Sequence, residues 1–454
     1  MLVRFQVNNM LSFGEEREFN MLPAPRYSKL GHHKYNIKEL ELLKLSSIYG
    51  ANGSGKSNLV KCLAALKTLI VDGEIPADLS SKKFKLSKKK LKDSQVFTIE
   101  FFKKSSAYYY SIVINKGIVI TEMLSESGLG KNEDVVLFER KTDKNGKTSL
   151  KFMTEFENDN ESKTLKSVIE KTLSKPEKPL FKLLSQLDND LLSSIKNAFE
   201  WFDKDLVLIY PASKPQAVIK RIENDVKYKE FVNKTMCAFD LGIKKIETET
   251  KTIKEFFGED KHNIERISKM LNENPSGFVG LTNPFGEEVL AVKKNGELLI
   301  KRIVLVHQDI DNNNIEFYFD EESDGTNRLF DYIPVFQDII YKQKTFIIDE
   351  IERSIHPLLI KELITKFSND KNTKGQLIFT THESNLLDQS ILRQDEIWFM
   401  EKDKFGCSDM YPLSEFKEHH TKDIKKGYLM GRYGAIPFLG NLENLNWNNY
   451  GTAE

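Results

Sequence analysis

The sequence predicts an α/β fold, a mixed β layer plus a parallel sheet with a helical lobe inserted between its halves. Three observations predict it. Short apolar runs at residues 45–49, 345–348, 376–380 and 396–400 end abruptly, and helical stretches follow 45–49 and separate the middle two. That is the pattern of strands in a parallel sheet. Strand-like segments joined by tight turns crowd the first third, and helical periodicity takes over from about residue 156. The expected division is 1–155 for the first half of the head, 156–285 for the helical lobe and 286–454 for the second half. That agrees with about three domains at ~150 residues each.

Each element has a local reason. Residues 2–8 place Val3, Phe5 and Val7 on one side and Arg4, Gln6 and Asn8 on the other, as a half-buried strand does. Residues 56–71 carry Leu59, Val60, Leu63, Leu66 and Ile70 on a 3.6-residue period and predict an amphipathic helix. Residues 96–102, 108–114 and 118–123 read as strands, with Asn115-Lys116-Gly117 as a hairpin turn. Residues 165–173, 191–202, 223–239 and 261–271 read as helices, without the sustained heptads of a coiled-coil arm. Asn295-Gly296 marks a hairpin between strands at 289–292 and 298–306, and 315–319 reads as a strand.

Composition narrows the class. The 454 residues are 40% hydrophobic and 30% charged, with Lys+Arg 67 against Asp+Glu 67. That excludes a disordered chain, and the pure apolar runs fall far short of the ~20 residues of a membrane span. Residues 1–13 have no signal-peptide core. Cys62, Cys237 and Cys407 are widely spaced with no CxxC, which excludes a disulfide framework and a zinc hook and fits a reduced cytosol. A cytoplasmic protein without membrane contact is the expectation. Residues 81–92 hold seven lysines, read as a solvated loop with a nucleic-acid or partner contact as the sharper alternative.

Chemistry concentrates in a few strings. Gly50-Ala51-Asn52-Gly53-Ser54-Gly55-Lys56-Ser57 matches the phosphate-binding P-loop, with an apolar strand before it and an amphipathic helix after it. Glycines let the backbone curl so that N–H groups point at phosphate oxygens, and the helix N-terminus adds partial positive charge. Lys56 then reaches the β- and γ-phosphates and Ser57 ligates Mg²⁺. The strand 346–348 ends in Asp349 and Glu350, placing one carboxylate for the Mg²⁺ shell and one to deprotonate an attacking water. A third apolar strand ends in His382, about 33 residues after Asp349, and His382 is a candidate γ-phosphate sensor. Glu322-Ser323-Asp324-Gly325-Thr326 reads, taken alone, as an ordinary helix N-cap. Asp188-Asn189-Asp190 lies in the helical segment without a strand pattern and reads as a helix N-terminus.

Together these strings resemble the ABC-type ATPase heads of the SMC, RecF and OLD families. More narrowly, the chain is similar to bacterial AAA-family ATPases of the abortive-infection AbiL/RloA kind. GANGSGKSN (50–58, through Asn58) resembles the family P-loop, ESDGT (322–326) a degenerate signature, DEIERSIHP (349–357) the Walker B and D-loop, and TTHE (380–383) the switch histidine. GRYGAIP (431–437) resembles the C-terminal string of the narrower family. The resemblance implies ATP and Mg²⁺ as cofactors, slow ATP hydrolysis, and a head-to-tail dimer or higher even assembly. Ser323 and Gly325 of one copy would then touch the γ-phosphate held by Lys56 of the other. Glu350 would act as the base and His382 as the sensor. The signature departs from LSGGQ, and Asp324 puts a negative charge beside that phosphate contact. Gln95 is the candidate for a Q-loop and Phe13 the candidate to stack on the base.

P-loop and Walker B lie about 300 residues apart, which favours an ABC-type head over a compact AAA+ motor. About 70 residues follow His382, short for a TOPRIM domain, so no nuclease is expected within the sequence. The resemblance therefore implies a phage-defence switch that controls a separate effector of RloB-like or TOPRIM-like nuclease type, with DNA or a phage protein as trigger. The alternatives are a RecF/SMC-like DNA-repair ATPase and an ATP-stabilised scaffold with little turnover.

Overall fold

A computed structural model describes residues 1–436 except 26, 39, 216–217, 275–276, 283–287, 295 and 417–422. Asn295, Pro437 and the expected boundary at 285 lie outside the described residues. The chain forms two compact units. The first comprises Met1–Leu208, Lys344–Glu350 and Gln376–Glu454, and the second Ile209–Gln343 and Ile351–Gly375.

The first unit holds two large sheets. In the seven-stranded antiparallel sheet, Leu2–Asn8 lies between Arg17–Asn20 and Gln95–Lys103. Ser106–Asn115, Ile118–Glu126, Val135–Thr142 and Thr148–Phe152 follow in sequence order. The expected Asn115-Lys116-Gly117 turn is present. Lys116 and Gly117 have φ of 51° and 75°, the left-handed pair that matches strand twist in a two-residue hairpin. The six-stranded sheet runs Leu206–Ile209, Thr345–Ile348, Gln376–Thr381, Leu45–Tyr49, Ile397–Lys402, Ser408–Pro412. Thr345–Ile348, Gln376–Thr381, Leu45–Tyr49 and Ile397–Lys402 are mutually parallel, and Ser408–Pro412 closes the edge antiparallel. The first three of these parallel strands are buried at every position, so their sequences do not alternate apolar with exposed polar residues.

The stretch 156–208 belongs with this first unit, for a packing reason. Trp201 stacks on Phe101 of the antiparallel sheet at 4.4 Å between centroids, and Phe181 lies 5.1 Å from Tyr110. The compact units meet at 208/209, 343/344, 350/351 and 375/376. Asp190–Leu192 is a short 3-10 helix capped by Asn189, as the DxD reading implies.

The second unit is built on an antiparallel sheet ordered Lys245–Thr252, Glu297–Gln308, Glu288–Lys294, Phe278–Thr282, with Asn314–Phe317 also paired to Glu297–Gln308. Val218–Asn224, Val226–Ala238 and Lys261–Glu273 confirm helical character in this part of the chain, but Lys245–Thr252 departs from it. Its charged sequence hides a strand alternation: Ile246, Thr248, Thr250 and Thr252 alternate with charged residues. Glu249 meets Arg302 across the register at 2.6 Å. The core joins Ile222, Tyr228, Val232 and Met236 to Ile303, Leu305, Phe330 and Ile333. Among the described residues no helix is long and apolar enough to cross a membrane.

Candidate nucleotide site

The parallel strands of the first unit bring three of the sequence strings to their C-terminal ends, where ligands of such sheets bind. The strand Gln376–Thr381 lies between the P-loop strand Leu45–Tyr49 and the strand Thr345–Ile348 that precedes Asp349. Lys56, Ser57, Asp349, Glu350 and His382 therefore converge.

The P-loop is held in shape from below. A Cβ on Gly50 would stand 2.3 Å from Met400 O, so only glycine lets the turn approach the neighbouring strand. Gly55 has φ 118° and would meet Ser408 Oγ at 2.2 Å. The helix Lys56–Asp72 starts at Gly55 with no side-chain cap, leaving its first N–H groups to a ligand, as an anion site requires. Ser408 Oγ donates to Ser54 O at 2.6 Å and pairs with Ser12 Oγ at 2.7 Å, and Asn58 Nδ2 donates to the same Ser12 Oγ at 2.8 Å. Ser12 and Ser408 thus fasten the loop from both chain ends. No sequence signal marks them, because the contact exists only once distant segments meet.

Around the phosphate position, buried Lys56 donates to Gly50 O at 2.7 Å and Ala51 O at 3.2 Å, with His382 Nδ1 3.4 Å away. Ser57 Oγ donates to Asp349 Oδ1 at 3.1 Å. Thr380 lies within the TTHE string but carries no sequence signal of its own. Its Oγ1 donates to Asp349 Oδ1 at 2.6 Å and accepts from Glu350 N at 2.8 Å. One hydroxyl therefore sets both carboxylate-bearing residues. Glu350 has φ 53°, in the left-handed region that a glutamate rarely adopts.

Ser57 and Asp349 supply a hydroxyl and a carboxylate. Among the described residues no group of three or more His, Cys, Asp or Glu could cage a metal. An all-oxygen pair that leaves most positions to water and phosphate fits Mg²⁺.

Ser323 caps the helix Asp324–Tyr341, its Oγ accepting from Thr326 N at 3.1 Å. A Cβ on Gly325 would lie 2.7 Å from Ser354 O, so the turn packs on the Ser354 backbone. This pair sits in the second unit, and the P-loop and Walker B residues sit in the first. Gln95 is fully buried and donates to Leu79 O at 3.0 Å, which corrects the Q-loop candidate. Phe13 is also fully buried and offers no face to a base. A cavity of about 380 Å³ opens instead beside Asn58 and Ser12, walled by Leu11, Phe84, Lys85 and Leu86 of the lysine-rich loop. Within that loop Lys83 is buried and donates to Asn115 Oδ1 at 3.1 Å, so it is structural. Residues 431–436 pack on the sheet: Tyr433 stacks on Phe399 at 5.5 Å and Ala435 N donates to Glu401 Oε2 at 3.0 Å.

A P-loop between strand and helix, with a carboxylate-ended strand one position removed in a parallel sheet, defines a P-loop nucleotide-binding domain. The chain belongs to the AAA family described as "AAA domain, putative AbiEii toxin, Type IV TA system", which matches residues 45–388. No curated protein matches its sequence. Among solved structures it is similar to an SMC head bound to the C-terminal winged-helix domain of ScpA, at 13% identity over 92% of this chain and 99% of that chain, TM-score 0.42. It is similar to the SMC head domain from Thermotoga maritima at 12% identity over 90% and 98%, TM-score 0.34. A Pyrococcus furiosus SMC head with an extended coiled coil, bound to the C-terminal domain of ScpA, matches at 12% identity over 95% and 98%, TM-score 0.36.

Proposed function

We propose that this AAA-family protein is a slow ATP-hydrolysing switch whose nucleotide-bound form pairs two copies and controls a separate effector, plausible partners being nucleases of phage defence. The observation that carries the hydrolytic part is the convergence of Lys56, Ser57, Asp349, Thr380, Glu350 and His382 at one end of the parallel sheet. In this reading Lys56 and the first N–H groups of its helix bind the phosphates. Ser57 and Asp349 would hold Mg²⁺, which supplies charge neutralisation at the phosphate oxygens when bound. Glu350 accepts the proton of the attacking water, and His382 contacts the γ-phosphate and registers its loss. The base and ribose lie in the cavity beside Asn58 and Ser12. Ser323 and Gly325 face the nucleotide of a second copy, which would make pairing depend on ATP. The family description names an AbiEii toxin, and a toxin–antitoxin or phage-defence setting is part of the same proposal.

The test is the solution mass of the Glu350→Gln protein with and without Mg-ATP. An ATP-dependent doubling supports the switch, and a mass indifferent to ATP overturns it. Loss of phage protection on Lys56→Ala in the intact locus tests the biological setting.

A further inference from the structure

We propose that His307 is a positioning residue that locks the signature turn, so that Ser323 and the first N–H groups of its helix are presented in one fixed arrangement to a second copy. This rests on the pairing reading above and names a residue that no motif contains.

His307 lies near the end of the strand Glu297–Gln308, in register with Ile315 of Asn314–Phe317. Its Nε2 stands 2.6 Å from Glu322 Oε1, and both side chains are largely shielded, at 20% and 10% exposure. A short bond between a ring nitrogen and a shielded carboxylate is of the strong, charge-assisted kind. The ring cannot swing away easily. Phe317 lies against it at 4.7 Å between centroids, and Gly242 packs so near that a Cβ there would sit 3.4 Å from Nδ1.

Glu322 immediately precedes Ser323, the N-cap. The turn leading to it is closed locally: Glu321 accepts from Tyr318 N at 2.8 Å, and Asn327 Nδ2 donates to Phe319 O at 2.8 Å. Those contacts shape the turn from within. The bond to His307 ties the turn to the sheet, one residue before the hydroxyl that caps the helix. Ser323 itself is exposed, so what it presents depends on how firmly Glu322 is held.

Three substitutions in the full-length Glu350→Gln background test this. His307→Phe keeps a flat ring against Phe317 but removes the nitrogen. His307→Gln keeps a donor. Ser323→Ala serves as the reference loss. Calorimetry reads Mg-ATP affinity, sedimentation reads pairing, and the thermal midpoint controls for folding. His307→Phe should leave Mg-ATP affinity of the separate copies within about twofold. It should raise the protein concentration needed for ATP-dependent pairing about tenfold, the scale of one lost hydrogen bond to a charged group. His307→Gln should restore most of the pairing. Unchanged pairing in His307→Phe, or no rescue by His307→Gln at an unchanged thermal midpoint, overturns the proposal. A Glu350→Gln protein that binds Mg-ATP without pairing overturns the pairing reading first, and this inference with it.

Discussion

Glu350 carries two opposed demands on one residue. Its backbone sits at φ 53°, which disfavours most side chains with a Cβ, asparagine the least, and its carboxylate is the proposed base. Glu350→Gly and Glu350→Asn, both tolerant of that backbone, should raise stability to denaturant by up to about 1 kcal/mol. Glu350→Gln should leave stability unchanged, and all three should abolish turnover. Equal stability of the Gly, Asn and Gln variants would show that the backbone is unstrained there. Thr380 makes the complementary case. Thr380→Val leaves Asp349 Oδ1 and Glu350 N without this hydroxyl, a loss of about 1–3 kcal/mol for buried groups. Turnover should fall about 10- to 100-fold, and Thr380→Ser should recover most of it. Steady-state kinetics decides, and a Val variant at full rate would remove Thr380 from the site.

At the scale of elements, the P-loop strand is braced on its far side by an ionisable pair. His33, at the end of the 3-10 helix Gly31–His33, lies with Nδ1 3.0 Å from Glu396 Oε1, just before the strand Ile397–Lys402, and neither side chain is exposed. Burial, then Lys44 and Arg393, lowers His33 from its ordinary 6.5 to about 4, and burial pushes Glu396 well above its ordinary 4.5. Glu396, held neutral, stabilises the fold below its ordinary 4.5 and loses that contribution as pH rises through its raised value, whereas His33, held neutral, contributes fully above 6.5 and loses its contribution as pH falls toward about 4. Above 6.5, where His33 no longer titrates in either state, the slope this pair adds is the loss of Glu396's contribution, at most about 1.4 kcal/mol per pH unit. Urea midpoints should fall toward alkaline pH, and Glu396→Gln, which stays neutral, should flatten that fall. The same urea series run on wild type with a midpoint that rises above pH 6.5 would contradict the pair's assignment. A second element, the lysine-rich loop, offers exposed Leu86 to the cavity beside Asn58. Leu86→Ser should weaken Mg-ATP about tenfold yet spare tripolyphosphate, which has no base to seat. Equal binding of Mg-ATP by both proteins would place the base elsewhere.

For the whole molecule, what the sequence disclosed was what it holds in contiguous strings. The P-loop, the carboxylate pair after 346–348 and the strand ending in His382 each combine an apolar run with a chemical terminus, so pattern and chemistry coincide. Ser12, Ser408 and Thr380 act only through contacts made between distant segments, and a lone serine or threonine carries no periodicity. Lys245–Thr252 was obscured because its stability comes from cross-strand partners such as Arg302, which local propensity does not register. The same holds for Phe181, Trp201 and Phe202, which sit in a helical stretch yet pack on Phe101 and Tyr110. That packing supplies a probe. Trp201 and Trp398 are buried in the first unit, and the second unit, Ile209–Gln343 with Ile351–Gly375, contains no tryptophan. With Trp447, which lies outside the described residues, replaced by Phe, tryptophan fluorescence follows the unit that holds Lys56 and Asp349. Mg-ATP at a hundredfold excess over its Kd in Glu350→Gln should stabilise that unit by about 2.7 kcal/mol, because ligand binds only the folded state. The fluorescence-detected urea midpoint should rise accordingly, and Lys56→Ala should erase the rise. Far-UV circular dichroism on the same samples reports both units at once. A shift seen equally by both probes makes nucleotide binding a property of the whole chain's cooperativity. A shift confined to fluorescence leaves the second unit to unfold on its own terms, with the signature turn gaining nothing until a second copy arrives.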